Sequence, residues 1–379
     1  MKYYLIAGEA SGDLHASNLM KELKKRDPLA QFRCWGGDLM QREGGVLVKH
    51  YRDLAFMGFI EVLFNLRTIF SNMRFCRKDL LEFAPDVLIL VDYPGFNLRI
   101  ARFAHENGIR TFYYISPQLW AWKASRVRII RENVDRMFVI LPFEMEFYSR
   151  YNYNVDFVGH PLLDVINSQQ SYQDAAEFRK KNALGDKPLV ALLPGSRKQE
   201  IRKVLGIMLQ MTSAFPEFQF VIAGAPSMPR EFYQSVTGTE PVLFVKGQTY
   251  DLLRNCEAAL VTSGTATLET ALMGIPQVVC YKGSIFSYLL ARMVVHVKYI
   301  SLVNLIMDRT VVTELIQNDF TSERLEQELR AITEDALNRE RMLEAYKELR
   351  EKLGGQGASA KAAELMIRSM KPGKINETK

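Results

Sequence analysis

The chain has 379 residues, 48% of them hydrophobic and 24% charged, an ordinary globular balance with more apolar material than one core requires, so two domains are expected. A net charge of +6 and a pI near 9.0 favour an anionic partner, whether phosphate, phospholipid or nucleic acid, without choosing among them. Cys34, Cys76, Cys256 and Cys280 lie far apart beside apolar residues; with no CxxC or Cys/His spacing they exclude a sequence-local zinc site and predict buried reduced thiols.

Taken in chain order, the first apolar stretch, Tyr3 to Ala7, is too short for a signal peptide and predicts a buried first strand, which leaves the protein in the cytoplasm. Further apolar runs ending in Gly, Asp, Ser or Pro alternate with helix-period stretches: Phe32 to Trp35, Val87 to Val91, Thr111 to Ile115, Met137 to Leu141 and Asp156 to Val158. This is the rhythm of βα units building a parallel sheet. After Gly159-His160-Pro161 comes a polar stretch, Asn167 to Asp186, and the rhythm restarts with Leu189 to Leu193, Phe218 to Ala223, Val242 to Val245, Ala258 to Val261 and Gln277 to Tyr281. The expectation is an α/β protein with two successive parallel-sheet domains, residues 1–165 and 166–344, and a cleft between them. Ser322 to Leu353 is charged and helical in period; Gly354-Gly355-Gln356-Gly357 separates it from a second helix, Ala358 to Met370, and 371–379 reads as a disordered tail. Arg292 interrupts the most apolar stretch, Ile285 to Val297, so no run reaches the ~20 residues that cross a bilayer, and membrane association is expected to be peripheral.

Ligands bind open parallel sheets where strands end and helices begin, because free backbone N–H groups and the positive end of the helix dipole face them there. Gly8 to Asp13 follows the first strand with small residues, but Glu9 is negative where a pyrophosphate would sit and no GK[ST] follows, so a plain tight turn reads as well. Pro194-Gly195-Ser196-Arg197, with Glu200 a turn on, opens the second domain; Arg197 is a diphosphate ligand or a solvated arginine beside an N-cap serine. Thr262-Ser263-Gly264-Thr265-Ala266-Thr267-Leu268-Glu269 carries more hydroxyls than a helix cap needs and can neutralise a leaving diphosphate without a metal, while Glu269 can accept from ribose hydroxyls. Asp92, in Asp92-Tyr93-Pro94-Gly95-Phe96-Asn97, ends a strand, where a carboxylate serves as a general base or, more commonly, as a cap.

Two further segments have the look of surfaces. Phe56 to Phe75 has more large apolar residues than one buried stripe requires, flanked by Arg67, Arg74, Arg77 and Lys78; it reads as an interfacial or acyl-binding helix, with Phe56, Phe59, Ile60, Leu63, Phe64, Ile69 and Phe70 as contacts, or as a core helix with a wide apolar face. Trp120-Ala121-Trp122-Lys123 with Arg126, Arg128 and Arg131 suits phosphate headgroups or RNA, and equally a solvated helix face.

In this order AGEASGD, MGFIEVL, DYPGFN, PQLWAWKASRV, LPFEMEFY, VGHPLLD, LPGSRKQEI, VTSGTATLE and SLVNLI span nearly the whole chain, and the ordered set resembles the lipid-A-disaccharide synthase family. The resemblance implies a GT-B fold of two Rossmann-like domains and an inverting, metal-independent hexosyltransferase with no cofactor. It joins UDP-2,3-diacylglucosamine to 2,3-diacylglucosamine 1-phosphate, giving a β-1,6 disaccharide and UDP in lipid A biosynthesis. It further implies Asp92 as base, with Glu9 and Ser11 near the reacting sugars, and Arg197, Ser196, Ser263, Gly264, Thr265, Glu269, Asn304 and Arg309 on the UDP side. The expected partners are the two glycolipid substrates and the cytoplasmic face of the inner membrane, with no nucleic acid. The C-terminal helices, about residues 345–370, are expected to pack back on the first domain or on a partner's in an exchanged homodimer. A UDP-sugar 2-epimerase and a non-catalytic nucleotide-responsive binding protein are the rival readings.

Overall fold

The computed structural model describes residues 1–53, 66–122, 124–168, 174–226, 228–238, 242–283 and 298–370, without the side chains of Leu66, Trp122 and Ser168. It forms two compact units, Met1–Asp164 together with the chain from Leu353 onward, and Val165–Lys352.

In the first unit β1 (Lys2–Ala7), β2 (Gln31–Gly36), β3 (Val46–His50), β4 (Val87–Val91), β5 (Thr111–Tyr114), β6 (Arg136–Val139) and β7 (Asp156–Phe157) form a sheet in the order β3-β2-β1-β4-β5-β6-β7. Every neighbouring pair is parallel. Such a sheet is covered on both faces, which is why β4 reads as the unbroken apolar run Val-Leu-Ile-Leu-Val, all of it buried. The two-residue period of β1 divides its side chains between the faces. Tyr4 and Ile6 pack with Met73, Cys76 and Leu80 of the helix Leu66–Phe83 and with Phe96 and Ile100 of the helix Pro94–Glu106. Tyr3, Leu5 and Ala7 pack with Leu19, Met20 and Leu23 of the helix Ala10–Arg26, and with Ala362, Ala363 and Met366 of the helix Ala358–Met370.

That last helix returns to the first unit through a turn only glycine adopts without strain: Gly354, Gly355 and Gly357 have φ of +85°, +72° and +95°. Its seat is the Val-Gly-His-Pro-Leu-Leu-Asp run. A Cβ on Gly159 (φ +90°) would lie 3.2 Å from the Leu353 carbonyl, which accepts the His160 N–H at 3.0 Å. Asp164 caps the helix, accepting from the N–H groups of Gly357 (2.6 Å) and Ser359 (3.0 Å).

The second unit repeats the scheme with β8 (Leu189–Leu193), β9 (Gln219–Gly224), β10 (Leu243–Lys246), β11 (Cys256–Thr262), β12 (Gln277–Tyr281) and β13 (Glu314–Ile316), parallel throughout, in the order β10-β9-β8-β11-β12-β13. The charged segment expected as one helix is two, Ser322–Thr333 and Ala336–Lys352. Asp335 divides them, because its Oδ1 accepts the N–H groups of Leu337 (3.0 Å) and Asn338 (3.1 Å) and starts a new helix. Tyr346 beside Gln277 Nε2 at 3.4 Å, and Arg350 on the Leu272 carbonyl at 3.3 Å, hold Ala336–Lys352 to the second unit. The chain therefore returns to the first unit after Lys352 and not near residue 345.

Candidate functional site

In a doubly wound sheet the loops at the carboxyl ends of the strands diverge where the strand order reverses, leaving room for a ligand. In the first unit the reversal lies between β1 and β4, which run in register with Ala7 opposite Val91. The two segments that continue from these residues are Gly8–Ser11 and Asp92–Tyr93.

Asp92 and Tyr93 both adopt left-handed backbone, with φ of 45° and 50°. For residues with a Cβ this costs on the order of 1–2 kcal/mol each. The strain is held by Asn97, fully buried, whose Nδ2 donates to the Asp92 carbonyl at 2.7 Å and lies 3.3 Å from that of Val91. Pro94, at the first helical turn, continues the chain into the helix Pro94–Glu106. The result turns the Asp92 carboxyl into a poorly solvated place. Burial pushes its pKa from 3.8 up to about 6, the negative charge of Glu9 adds to the rise, and a hydrogen bond from the Tyr93 N–H opposes it. Glu9, at the N-cap of the helix Ala10–Arg26, and Ser11 in its first turn are both exposed. Asp13 of the same motif is structural. Its carboxylate accepts from Gly37 N (2.8 Å), Met40 N (3.1 Å) and Leu39 N (3.2 Å), fixing the helix Asp38–Arg42.

In the second unit the order reverses between β8 and β11. A pocket of about 210 Å³ lies there, lined in part by Gly195, Ser196, Glu200, Thr262, Ser263 and Glu269. Gly195 has φ +100°, and a Cβ on it would lie 2.8 Å from Glu200 Oε2. The helix Thr265–Leu272 points its N-terminus into this pocket, and no side chain caps it. The hydroxyls predicted there are turned elsewhere: Ser263 donates to the Ile300 carbonyl (2.9 Å) and Thr267 to that of Gly264 (2.8 Å). The first N–H groups of the helix, with the positive end of its dipole, are thus left for an anion. Thr262 is buried with its hydroxyl unpartnered. Glu269 is held above the usual carboxylate range by burial, opposed by the Tyr250 hydroxyl that donates to its Oε1 at 2.7 Å.

The remaining predicted residues do not gather at this pocket. Arg197 is exposed and 3.4 Å from Glu200. Arg309 is paired with Glu348 and does not line the pocket. Asn304 does not line the pocket: it is fully buried, Oδ1 accepts from Val311 N (2.7 Å) and Val312 N (3.0 Å), and Nδ2 donates to Val312 O and Glu314 Oε1, both 2.9 Å. All four hydrogen-bonding positions of that amide are taken in bracing the chain into β13. Conversely, Thr249 and Tyr250 are at or beside the pocket and stand in none of the motifs singled out in the sequence. Thr249 and Tyr250 follow β10 after Gly247, the same strand-end position that marked the others.

Of the proposed lipid contacts, Phe56, Phe59, Ile60, Leu63 and Phe64 lie outside the described residues. Ile69 is half-buried and Phe70 is 68% exposed; with Phe75 and Leu81 it shares an outer face with exposed Arg67, Arg74, Arg77 and Lys78. The inner face is pinned by Asp79, which pairs with Arg33 and accepts from the Tyr4 hydroxyl at 2.7 Å. In the Trp120 patch, Trp120 meets the Phe143 ring edge-on, and Arg128 and Arg131 bind Glu132 and the Tyr151 carbonyl. Among the described residues no helix is long and apolar enough to cross a membrane, and no three His, Cys, Asp or Glu side chains converge as metal ligands.

A family model described as lipid-A-disaccharide synthetase matches residues 3–368. The lipid-A-disaccharide synthase of Syntrophus aciditrophicus is 42% identical over 374 residues, covering 97% of each chain. That of Myxococcus xanthus is 38% identical over 379 residues, covering 98% of each. Among solved structures, a UDP-GlcNAc 2-epimerase from Neisseria meningitidis bound to UDP-GlcNAc aligns with TM-score 0.65 at 12% identity over 98% of this chain and 99% of that one. The calicheamicin glycosyltransferase CalG4 aligns with TM-score 0.61 at 15% identity over 98% and 99%. At such identities the likeness speaks for the fold alone, the two-domain fold of GT-B glycosyltransferases and epimerases.

Proposed function

The chain belongs to the lipid-A-disaccharide synthetase family, a hexosyltransferase family that carries out the condensation step of lipid A biosynthesis, and we propose that Asp92 is the general base of that reaction. The substrates are UDP-2,3-diacylglucosamine and 2,3-diacylglucosamine 1-phosphate, and the products are the β-1,6-linked disaccharide 1-phosphate and UDP. As the acceptor's 6-oxygen forms its bond to the anomeric carbon, Asp92 takes the hydroxyl proton and the bond from that carbon to the UDP oxygen breaks, inverting the centre. One observation carries the assignment: a strand-end carboxylate at the switch point, in strained backbone, with its pKa brought to about 6. Such a base is stronger than an ordinary aspartate and still ionised near neutrality.

The uncapped start of Thr265–Leu272 supports a role in holding the donor diphosphate and in stabilising the charge that grows on it as UDP leaves. Glu269, with one oxygen engaged by Tyr250, presents the other to the ribose. Ser196, Ser263, Gly264 and Thr265 complete the nucleotide side, and Arg197, exposed at the loop following β8, reaches the diphosphate when donor binds. Glu9 and Ser11 contact the reacting sugars. The outer face of Leu66–Phe83 supports peripheral binding to the cytoplasmic face of the inner membrane, where both substrates present their acyl chains. The glycine turn Gly354–Gly357 is suited to exchange of the last helix between two copies, which the mass in solution tests. An assay in detergent micelles, with and without EDTA, checks the reaction by acceptor-dependent formation of UDP and disaccharide; Asp92→Asn at wild-type turnover would remove the base assignment.

A further inference from the structure

We propose that Tyr113 is a positioning residue for Asp92, an inference that rests on the reading of Asp92 as the base. Tyr113 lies on β5, fully buried, with its Cα opposite Leu90 of β4. Its hydroxyl reaches past the end of β4 and donates to the Asp92 backbone carbonyl at 2.6 Å. The same carbonyl accepts from Asn97 Nδ2 at 2.7 Å, and the Asp92 N–H donates to the Tyr114 carbonyl at 3.2 Å. Asp92 is therefore gripped on both sides: the sheet holds its N–H, and two buried side chains hold its C=O.

The grip matters because of the backbone it acts on. Asp92 and Tyr93 are consecutive left-handed residues with Cβ atoms, a conformation that persists only where its surroundings over-determine it. The Asp92 carbonyl direction is set by the torsions on either side of that peptide. Fixing it fixes where Cα sends the carboxylate. Asn97 is part of the helix that follows and would move with it. Tyr113 belongs to the neighbouring strand, so it ties the base to the rigid sheet. A phenylalanine would fill the same apolar space, leaving the phenol oxygen to be explained by its bonds to this carbonyl and to Asn97, which grips the same carbonyl, since a buried hydroxyl needs a partner.

The test is Tyr113→Phe, measured beside Asp92→Asn in the wild-type background, with folding followed by circular dichroism and UDP affinity by calorimetry. Tyr113→Phe should lower kcat about 10- to 100-fold, as an ångström-scale misplacement does. KM for the donor and UDP affinity should stay within about twofold. The acid limb of its kcat profile should move below pH 6, as the carboxylate relaxes toward water. A merely structural tyrosine would reduce the melting temperature and leave kcat per folded molecule and the limb in place. p-Aminophenylalanine at position 113 keeps an N–H donor there and should restore kcat to within about threefold; failure to do so in a folded protein, or wild-type kcat and limb in Tyr113→Phe, overturns the proposal. If Asp92→Asn itself retains turnover, the base assignment and this proposal fall together, whereas an inactive Asp92→Asn beside a fully active Tyr113→Phe removes only the positioning role.

Discussion

Gly8 lies under the ring of Tyr93: a Cβ built on Gly8 would stand 2.3 Å from Tyr93 Cγ. The first loop and the strained Asp92–Tyr93 turn are thereby packed as one object, and the glycine is required by space, since its own φ is not in the left-handed region. Gly8→Ala must push the ring away and with it the peptide next to Asp92. We expect a stability loss of about 1–3 kcal/mol, the usual range for overpacking, and a fall in kcat larger than that loss explains, seen by urea denaturation and steady-state kinetics on one preparation.

The pH dependence follows from the same pair of loops. A base must be deprotonated to act, so activity should fall on the acid side with a limb near pH 6, the value to which burial and Glu9 bring Asp92. Glu9→Gln removes a negative charge that favours the protonated form, and its limb should lie at lower pH than the wild type's. A limb unmoved by that change would mean Glu9 does not reach Asp92 electrostatically.

Asp92 also costs stability, and the sign can be stated. Its folded pKa, about 6, is above the ordinary 3.8, so the folded state holds this proton more tightly than the unfolded state, and stability declines as pH rises from about 4 through 6. At 1.36 kcal/mol per pKa unit the whole effect is at most about 3 kcal/mol. Asp92→Asn should therefore be inactive yet more stable than wild type by about 1–3 kcal/mol at pH 8, with the gap closing by pH 4. Equal stabilities at both pH values would contradict a raised pKa for this half-buried carboxyl.

On the nucleotide side, Tyr250→Phe takes from half-buried Glu269 its hydroxyl donor, and that bond is what opposes the upward push of desolvation. The Glu269 pKa should rise further. UDP affinity should fall about tenfold, roughly the worth of one buried hydrogen bond to a charged group, with donor KM raised and kcat little changed. A variant that lost kcat instead would place Tyr250 in the chemistry.

The sequence made the parallel scaffold legible because fully buried strands such as Val87–Val91 and Leu189–Leu193 read as unbroken apolar runs. Two edge strands escaped that signal. Val46–His50 has no fully buried residue and Glu314–Ile316 is only three residues long. The candidate loops were legible by position, since the switch points lie between strands whose ends carry Gly8, Asp92, Gly195 and Gly264. What was not legible is direction. Asn304 stands in a motif beside hydroxyls yet turns its amide inward to β13, while Tyr250, in no quoted motif, turns toward Glu269. The break at Asp335 was hidden for a related reason: a charged residue within a charged helical pattern gives no sign that its carboxylate will cap a new helix.

The most direct measurement is a comparison of wild type and Asp92→Asn in single turnover, with UDP-2,3-diacylglucosamine bound and the acceptor added in micelles, following UDP and disaccharide by mass spectrometry. The wild type should form both products only with acceptor present, and Asp92→Asn should bind UDP with wild-type affinity but form product at least about 100-fold more slowly, the lower end of the range for loss of a general base. Product formation by Asp92→Asn within a few fold of the wild type would contradict the base assignment.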